Sequence, residues 1–408
     1  MPAPDPFWVA VSAFDLPAAV GYARTLDERL FLTALTNLAD GNPDAAAVAF
    51  RALRGSDDAT LRAHARSGVV MALSWHSEWA ELAQLAEGDA PRGPGDPPAN
   101  PAGVEAWARA FARAGSAVLD IPAGVHTLPL IRSAFGTPIV TVTVNGKSRH
   151  FWLDTGASLT LIAADVAEAS GVKHMGSDTL ALSAIGGTLP AVPTVIERMT
   201  LGPVTARGLH AAIIAPDLLR LDARLENGVR TLVKIDGVIG TDIIRRLDVT
   251  IDTEAGTVTL RRPTRKARAA RNLYWVGFPA VRVRTTGGRA VLLGLDTGAE
   301  STFVTRSLLG KLNRPRVLTR RGVLTGLGSE REVTEQVVTE VELRGGGPLP
   351  LRLRNVKVVP ERRWTFLQFD GMLGSDIALA ARVRIDFTQG VFEVRRSAGA
   401  ALAPSPAP

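Results

Sequence analysis

With no cysteine among its 408 residues, the chain has no disulfide, no thiolate metal site and no cysteine nucleophile. A hydrophobic fraction of 46% is enough for a sizeable core, the length suits two or three domains, and no run approaches the ~18 uninterrupted apolar residues of a membrane span. The net charge of +7 invites a nucleic-acid partner, but the densest basic stretch, Arg261 to Arg268, has no interleaved aromatics and reads as a solvated connector, so no nucleic acid is expected.

The N-terminus, Met1-Pro2-Ala3-Pro4-Asp5, carries no basic region ahead of an apolar run, so no signal peptide is expected in the chain as given. Residues 18 to about 87 read as helices, with apolar residues recurring at three and four (Leu30, Phe31, Ala34, Leu35, Leu38). Asn42-Pro43-Asp44 breaks one helix and starts the next, Ala45 to Leu53. Aligning Gly41–Ala45 with His76–Ala80 gives an offset of about 34–35, which resembles a tetratricopeptide-type helical hairpin repeat; a plain helical bundle is the alternative. The Pro- and Gly-rich stretch Gly88 to Gly103 reads as a linker, followed by a short helix around Val104 to Ala114.

From Leu128 the texture turns to strand-like alternation, and it repeats. Ile139 to Val144 alternates, turns at Asn145-Gly146 and returns through Phe151-Trp152-Leu153 into Asp154-Thr155-Gly156-Ala157. Val281 and Val283 alternate with arginines, the chain turns at Gly287-Gly288, and Val291 to Leu295 leads into Asp296-Thr297-Gly298-Ala299. From the second turn residue to the aspartate is eight residues both times (154 − 146; 296 − 288). Each copy has a distant partner, Gly237-Val238-Ile239-Gly240 at 83 residues (237 − 154) and Gly371-Met372-Leu373-Gly374 at 75 (371 − 296). Both copies close alike, at Val249-Thr250-Ile251-Asp252 and Val383-Arg384-Ile385-Asp386. One Asp-Thr-Gly is an ordinary turn; two with matching flanks read as a duplicated half-site supplying one aspartate each.

These residues resemble the aspartic protease superfamily, and the Ala after each Gly together with the short lobes resembles its retropepsin-like bacterial branch. The resemblance covers about 128–395. It implies a bilobal all-β acid-protease fold, with retropepsin-like lobes at 125–262 and 273–396, which follows the α-helical domain read from the residues at 1–117 and precedes an expected disordered tail at 397–408. It also implies an aspartic endopeptidase acting on polypeptide by water activated between Asp154 and Asp296, without metal or organic cofactor, as a monomer. Thr155 and Thr297 would brace the two loops, and Gly156 and Gly298 would allow their tight approach, with Ala157 and Ala299 completing each loop. A glycine-tipped flap is expected in each lobe, at Ile185-Gly186-Gly187 and at Gly326-Leu327-Gly328. Pepsins carry a tyrosine in their single flap; Tyr22 and Tyr274 are the tyrosines here and lie in neither. Retropepsins place an acidic substrate-contacting residue just past the motif, a role that Glu300 suits better than Ser158.

Asp242 and Asp376 follow Gly-Thr and Gly-Ser where helices should start, so N-terminal capping is expected of them. The six histidines are scattered without a His-Glu-x-x-His, which argues against a zinc protease, and no Gly-x-Ser-x-Gly elbow or phosphate loop is present. The helical domain, set off by its linker, is expected to fold separately and to dock a substrate or protein partner. The alternative function is a peptide-binding or scaffold protein with a degenerate cleft.

Overall fold

The computed structural model describes residues 5–88, 104–132, 137–176, 178–184, 187–224, 230–264, 271–326, 329–348, 350–361, 363–364, 366–379 and 381–396. The flap-tip residues Ile185, Gly186, Leu327 and Gly328, the tail 397–408 and most of the expected linker lie outside them.

Seven helices precede the first strand among the described residues: Pro6–Ser12, Leu16–Tyr22, Leu26–Ala39, Pro43–Ala52, Ala59–His76, Trp79–Gly88 and Val104–Phe111. Helix begins earlier than residue 18 because Asp5 and Asp15 each accept an amide hydrogen from the first turn that follows, with a proline just inside it. Leu26–Ala39 opens on a capping box: the Glu28 amide donates to the Thr25 hydroxyl at 3.1 Å and the Thr25 amide to the Glu28 carboxylate at 2.9 Å. Ala59–His76 ends where Ser77 turns left-handed, at φ 58°. No helix among the described residues is long and apolar enough to cross a membrane.

The β part repeats one spatial order. In the first half, strands lie in the order Pro138–Val144, Lys147–Leu153, Gly237–Ile239, Thr160–Ala163, Val204–Ile214, Gly187–Leu201, Leu180–Ala184. In the second half the order is Pro279–Thr285, Ala290–Leu295, Gly371–Leu373, Phe303–Thr305, Leu351–Val359, Ser329–Arg344, Val317–Gly326. Each half also closes by the same extra pairing, first strand to penultimate one. The turn at Asn145-Gly146 has φ 47° and 84°, the left-handed pair that a two-residue hairpin demands, whereas in the second turn only Gly288 is positive, at 81°. Strand structure starts before Leu128, with Val125–Arg132 and with Val118–Asp120 pairing Val204–Ile214.

A joining sheet, continuous with the first half's strands through Val125–Arg132, links the halves. Asp248–Asp252 of the first pairs antiparallel with Ala381–Asp386 of the second, so that Ile251 faces Val383 and Asp248 faces Asp386. Thr257–Arg261 and Val391–Arg396 extend it on either side.

The helices share a continuous hydrophobic core with both halves. Phe31 packs edge-on to Phe366, Phe14 to Tyr274, and Trp75 to Trp275, with ring centroids 5.1–5.4 Å apart. Trp79 donates its indole hydrogen to His210 Nδ1 at 3.2 Å. Arg245, from the first half, is buried between Trp75 of the helices and Trp275 of the second half, 5.5 and 5.7 Å from the two rings. One guanidinium therefore touches all three parts, a contact worth about 1–2 kcal/mol per ring once desolvated. Burial lowers its pKa to about 10, against the opposing pull of Asp242, and leaves it a cation at neutral pH.

Candidate active site

Each Asp-Thr-Gly loop is held by its distant glycine motif. Gly237–Ile239 threads between the strand that enters Asp154 and the strand that leaves its loop, parallel to Phe151–Leu153 and antiparallel to Leu161 and Ile162. Gly371–Leu373 does the same between Leu293–Leu295 and Phe303–Val304. A side chain at Gly237 would run into the Phe151 ring and the Leu161 carbonyl, and one at Gly371 into the Phe303 carbonyl, so that strand must begin on glycine. The threaded strand then grips the loop at both ends. The amides of Asp154 and Asp296 donate to the Ile239 and Leu373 carbonyls at 3.0 and 2.9 Å. The amides of Thr241 and Ser375 donate to the Ala157 and Ala299 carbonyls at 2.7 Å.

The two loops meet through their threonines. Thr155 donates its amide to the Thr297 hydroxyl and Thr297 its amide to the Thr155 hydroxyl, both at 3.0 Å. Each hydroxyl passes its own hydrogen across, Thr155 to the Leu295 carbonyl at 2.8 Å and Thr297 to the Leu153 carbonyl at 2.7 Å. All of these groups are buried, so the four bonds are made where an unpaired partner costs ~1–3 kcal/mol.

This cross-bracing sets the two carboxyls against each other. Gly156 and Gly298 lie where a Cβ would fall inside the carboxyl group of Asp296 and Asp154 respectively, so each glycine makes room for the opposite half's aspartate. The Gly156 amide donates to Asp154 Oδ1 at 2.7 Å, and the Gly298 and Ala299 amides to Asp296 Oδ1 at 3.0 Å. Burial, then the charge of Asp296 and the hydrogen bond to it, push the Asp154 carboxyl well above the usual range. Burial also raises Asp296, but the bond from Asp154 and the amides of Ala299 and Gly298 stabilise its anion. Two carboxyls this close cannot both ionise cheaply, so the pair keeps a proton to higher pH than a lone carboxyl would.

Asp242 and Asp376 are not helix caps. The Asp242 carboxylate accepts the amide and the hydroxyl of Thr160, both at 3.1 Å. Asp376 accepts the same two groups of Thr302 at 2.9 and 2.6 Å. Each threonine hydroxyl also receives an amide of the glycine motif, Gly240 at 3.5 Å and Gly374 at 3.0 Å. The carboxylates thus brace the far end of each loop rather than a helix N-terminus. Burial raises Asp242 to about 6. Sequence reasoning missed this pair, although a threonine six residues past each aspartate (160 − 154; 302 − 296) was its signal.

Past the loops, Ser158 is exposed and Glu300 half-buried, so the two sides differ in chemistry and in setting. Gly187 pairs with Ala184, and Gly326 with Ser329, at the described ends of the two candidate flap hairpins. The first hairpin has five paired positions and the second ten.

Residues 140–243 match a family model described as Aspartyl protease. The matched segment holds the first Asp-Thr-Gly loop, its threaded glycine strand, Thr160 and Asp242. It supports an aspartyl protease family, and with it peptide-bond hydrolysis, as the general class. No curated protein matches the chain.

Proposed function

We propose that the chain is an aspartic endopeptidase whose single dyad, Asp154 and Asp296, is assembled from two retropepsin-like lobes (125–262 and 273–396) of one polypeptide. The observation that supports this reading is the reciprocal Thr155–Thr297 brace, which sets the carboxyl of each loop against the glycine of the other, so that the two acids act on each other. A lone buried carboxylate would be a poor design; a pair at unequal pKa is an acid and a base in one place.

In this reading Asp296, the anion, accepts a proton from a water bound between the two carboxyls while the oxygen attacks the scissile carbonyl carbon. Asp154 gives its proton to the carbonyl oxygen, so a neutral diol forms and no oxyanion is left uncompensated. Collapse of the diol breaks the carbon–nitrogen bond. The proton now on Asp296 goes to the leaving amine, and one hydroxyl proton of the diol returns to Asp154. The cycle closes with both groups as they began, and water is the only co-reactant. The amides of Gly156, Gly298 and Ala299 keep each carboxyl's Oδ1 fixed, so the outer oxygens face the substrate.

The substrate is an extended polypeptide, and Ser158 and Glu300 give its two ends different contacts. The helical segment (1–117) also has a structural part in this reading: Phe14, Phe31 and Trp75 pack on the second lobe, and Trp79 and Phe111 pack on His210 of the first. The test is cleavage of a peptide library or a denatured protein from acid to neutral pH, with blockade by a peptidomimetic that carries a tetrahedral hydroxyl. Peptide binding without turnover at any pH would favour the scaffold reading instead.

A further inference from the structure

The helix Val104–Phe111 reaches the first flap hairpin, and Trp107 bonds to it. Trp107, buried on this helix, donates its indole hydrogen to the Ala181 carbonyl at 2.9 Å. Ala181 lies in Leu180–Ala184, the edge strand of the first half's sheet. It faces Pro190, which has no amide hydrogen to offer. Counted from the closing pair Ala184–Gly187, the Ala181–Pro190 pair is also one whose backbone groups point away from each other. The Ala181 carbonyl therefore turns outward from the hairpin, and Trp107 is the donor that meets it.

The helix is itself anchored to the body of the first half. Phe111 packs on His210, 4.9 Å between centroids, and on Trp79 at 5.1 Å, while Trp107 lies 5.7 Å from Phe111. An aromatic stack thus runs from a central strand, Val204–Ile214, to the outer edge of the hairpin. A hairpin of five paired positions has little internal stability, and an outside bond on its free edge sets where it stands.

We propose that Trp107 is a positioning residue for peptide binding: it fixes the outer edge of the first candidate flap hairpin, so that an extended substrate meets a pre-ordered strand rather than a loose one. This rests on the endopeptidase reading above. The helical segment then acts on substrate affinity through this contact, in addition to joining the lobes.

The experiment compares Trp107→Phe, which keeps the ring and removes the donor, with Trp79→Phe, which removes the bond to His210 and leaves the hairpin contact in place. Hydrogen exchange is followed at the paired amides of Leu180, Leu182, Leu189 and Ala191, alongside kinetics on an extended peptide. Trp107→Phe is expected to speed exchange at those four amides and to raise KM about fivefold, the worth of one hydrogen bond, with kcat changed far less and the melting temperature close to wild type. Trp79→Phe should leave both readouts near wild type. Unchanged exchange and KM in Trp107→Phe, or equal effects from the two variants, would overturn the assignment. Should the wild-type protein cleave nothing, the endopeptidase reading fails on its own; the exchange data still report whether Trp107 holds the hairpin.

Discussion

Arg384 of the second half grips Asp248 of the first with two nitrogens, Nε to Oδ1 at 2.8 Å and a terminal nitrogen to Oδ2 at 3.0 Å. The same guanidinium reaches Asp386, fully buried and directly opposite Asp248 in the joining sheet. Burial and the Asp248 charge push Asp386 above the ordinary carboxylate range, and Arg384 pulls it back. This cation makes it possible for two acids to face each other across the seam between the halves.

Replacing Arg384 with Ala should therefore loosen the seam. About 2–3 kcal/mol of stability is at stake, because two poorly solvated carboxylates would be left facing each other. Protonation relieves that repulsion, so the loss should be larger at about pH 8 than at about pH 5. Melting temperatures of the variant and the wild type across that range check both the size and the direction.

Gly298→Ala places a methyl where the Asp154 carboxyl now lies. The carboxyl must move, and with it the hydrogen bond to Asp296. A loss of about a hundredfold or more in kcat is expected from misplacing the reacting groups by ~1 Å, with a much smaller effect on melting temperature. Near-normal turnover in a folded Gly298→Ala protein would show that the close approach of the two loops is unimportant.

Removing residues 1–117 should not release an active pair of lobes. The deletion would bare Phe366, Tyr274, Trp275 and His210 and leave Arg245 without Trp75. The truncated chain is expected to be insoluble, or to melt far below the full protein, because large apolar surfaces and a buried cation lose their cover. A soluble, cooperatively melting truncation that cuts a short peptide would restore the separately folding unit inferred from the linker.

Two histidines lie at these same contacts. His210 is lowered from 6.5 by burial, against a smaller upward pull from the Gly115 backbone; the Trp79 indole and the Phe111 ring face it. His64, between Trp8 and Phe366, is lowered from 6.5 by burial, with Asp58 opposing. A ring held below its free value makes the unfolded chain the better proton acceptor. The stability due to each neutral ring is complete above about pH 7 and is lost as pH falls through 6.5 and below. Replacing both with Gln should flatten the acid side of the melting curve, whereas an unchanged acid limb would place the acid-sensitive groups elsewhere.

The site was legible because its signals are local. Asp-Thr-Gly-Ala is contiguous, its entry strand alternates, and Asn145-Gly146 marks its hairpin; the glycines of Gly237–Gly240 and Gly371–Gly374 advertise a strand squeezed between two others. What escaped were partnerships between distant residues of unremarkable type. Thr160 meets Asp242 across 82 positions, and a carboxylate beside a helix start is the ordinary sign of a cap. Alternation in Val249–Asp252 and Val383–Asp386 marks two strands without saying that they pair with each other. The helical segment's packing was hidden for a related reason. Its proline- and glycine-rich exit suggests independence, while Trp75, Phe31 and Phe14, which pack on the second half, look in sequence like the internal core of any helical bundle.

The most direct measurement is the pH profile of peptide cleavage by the wild type, Asp154→Asn and Asp296→Asn, each shown to be folded. Because both carboxyls are raised by burial, the single-proton state should persist toward neutral pH. Activity should fall on the alkaline side as the pair loses its shared proton, and on the acid side as it gains a second. Either Asn variant is expected to lose about a thousandfold or more in kcat, since the two groups act as a unit. One variant with near-wild-type turnover and an unchanged pH profile would contradict the account, because that aspartate would then be no part of the chemistry.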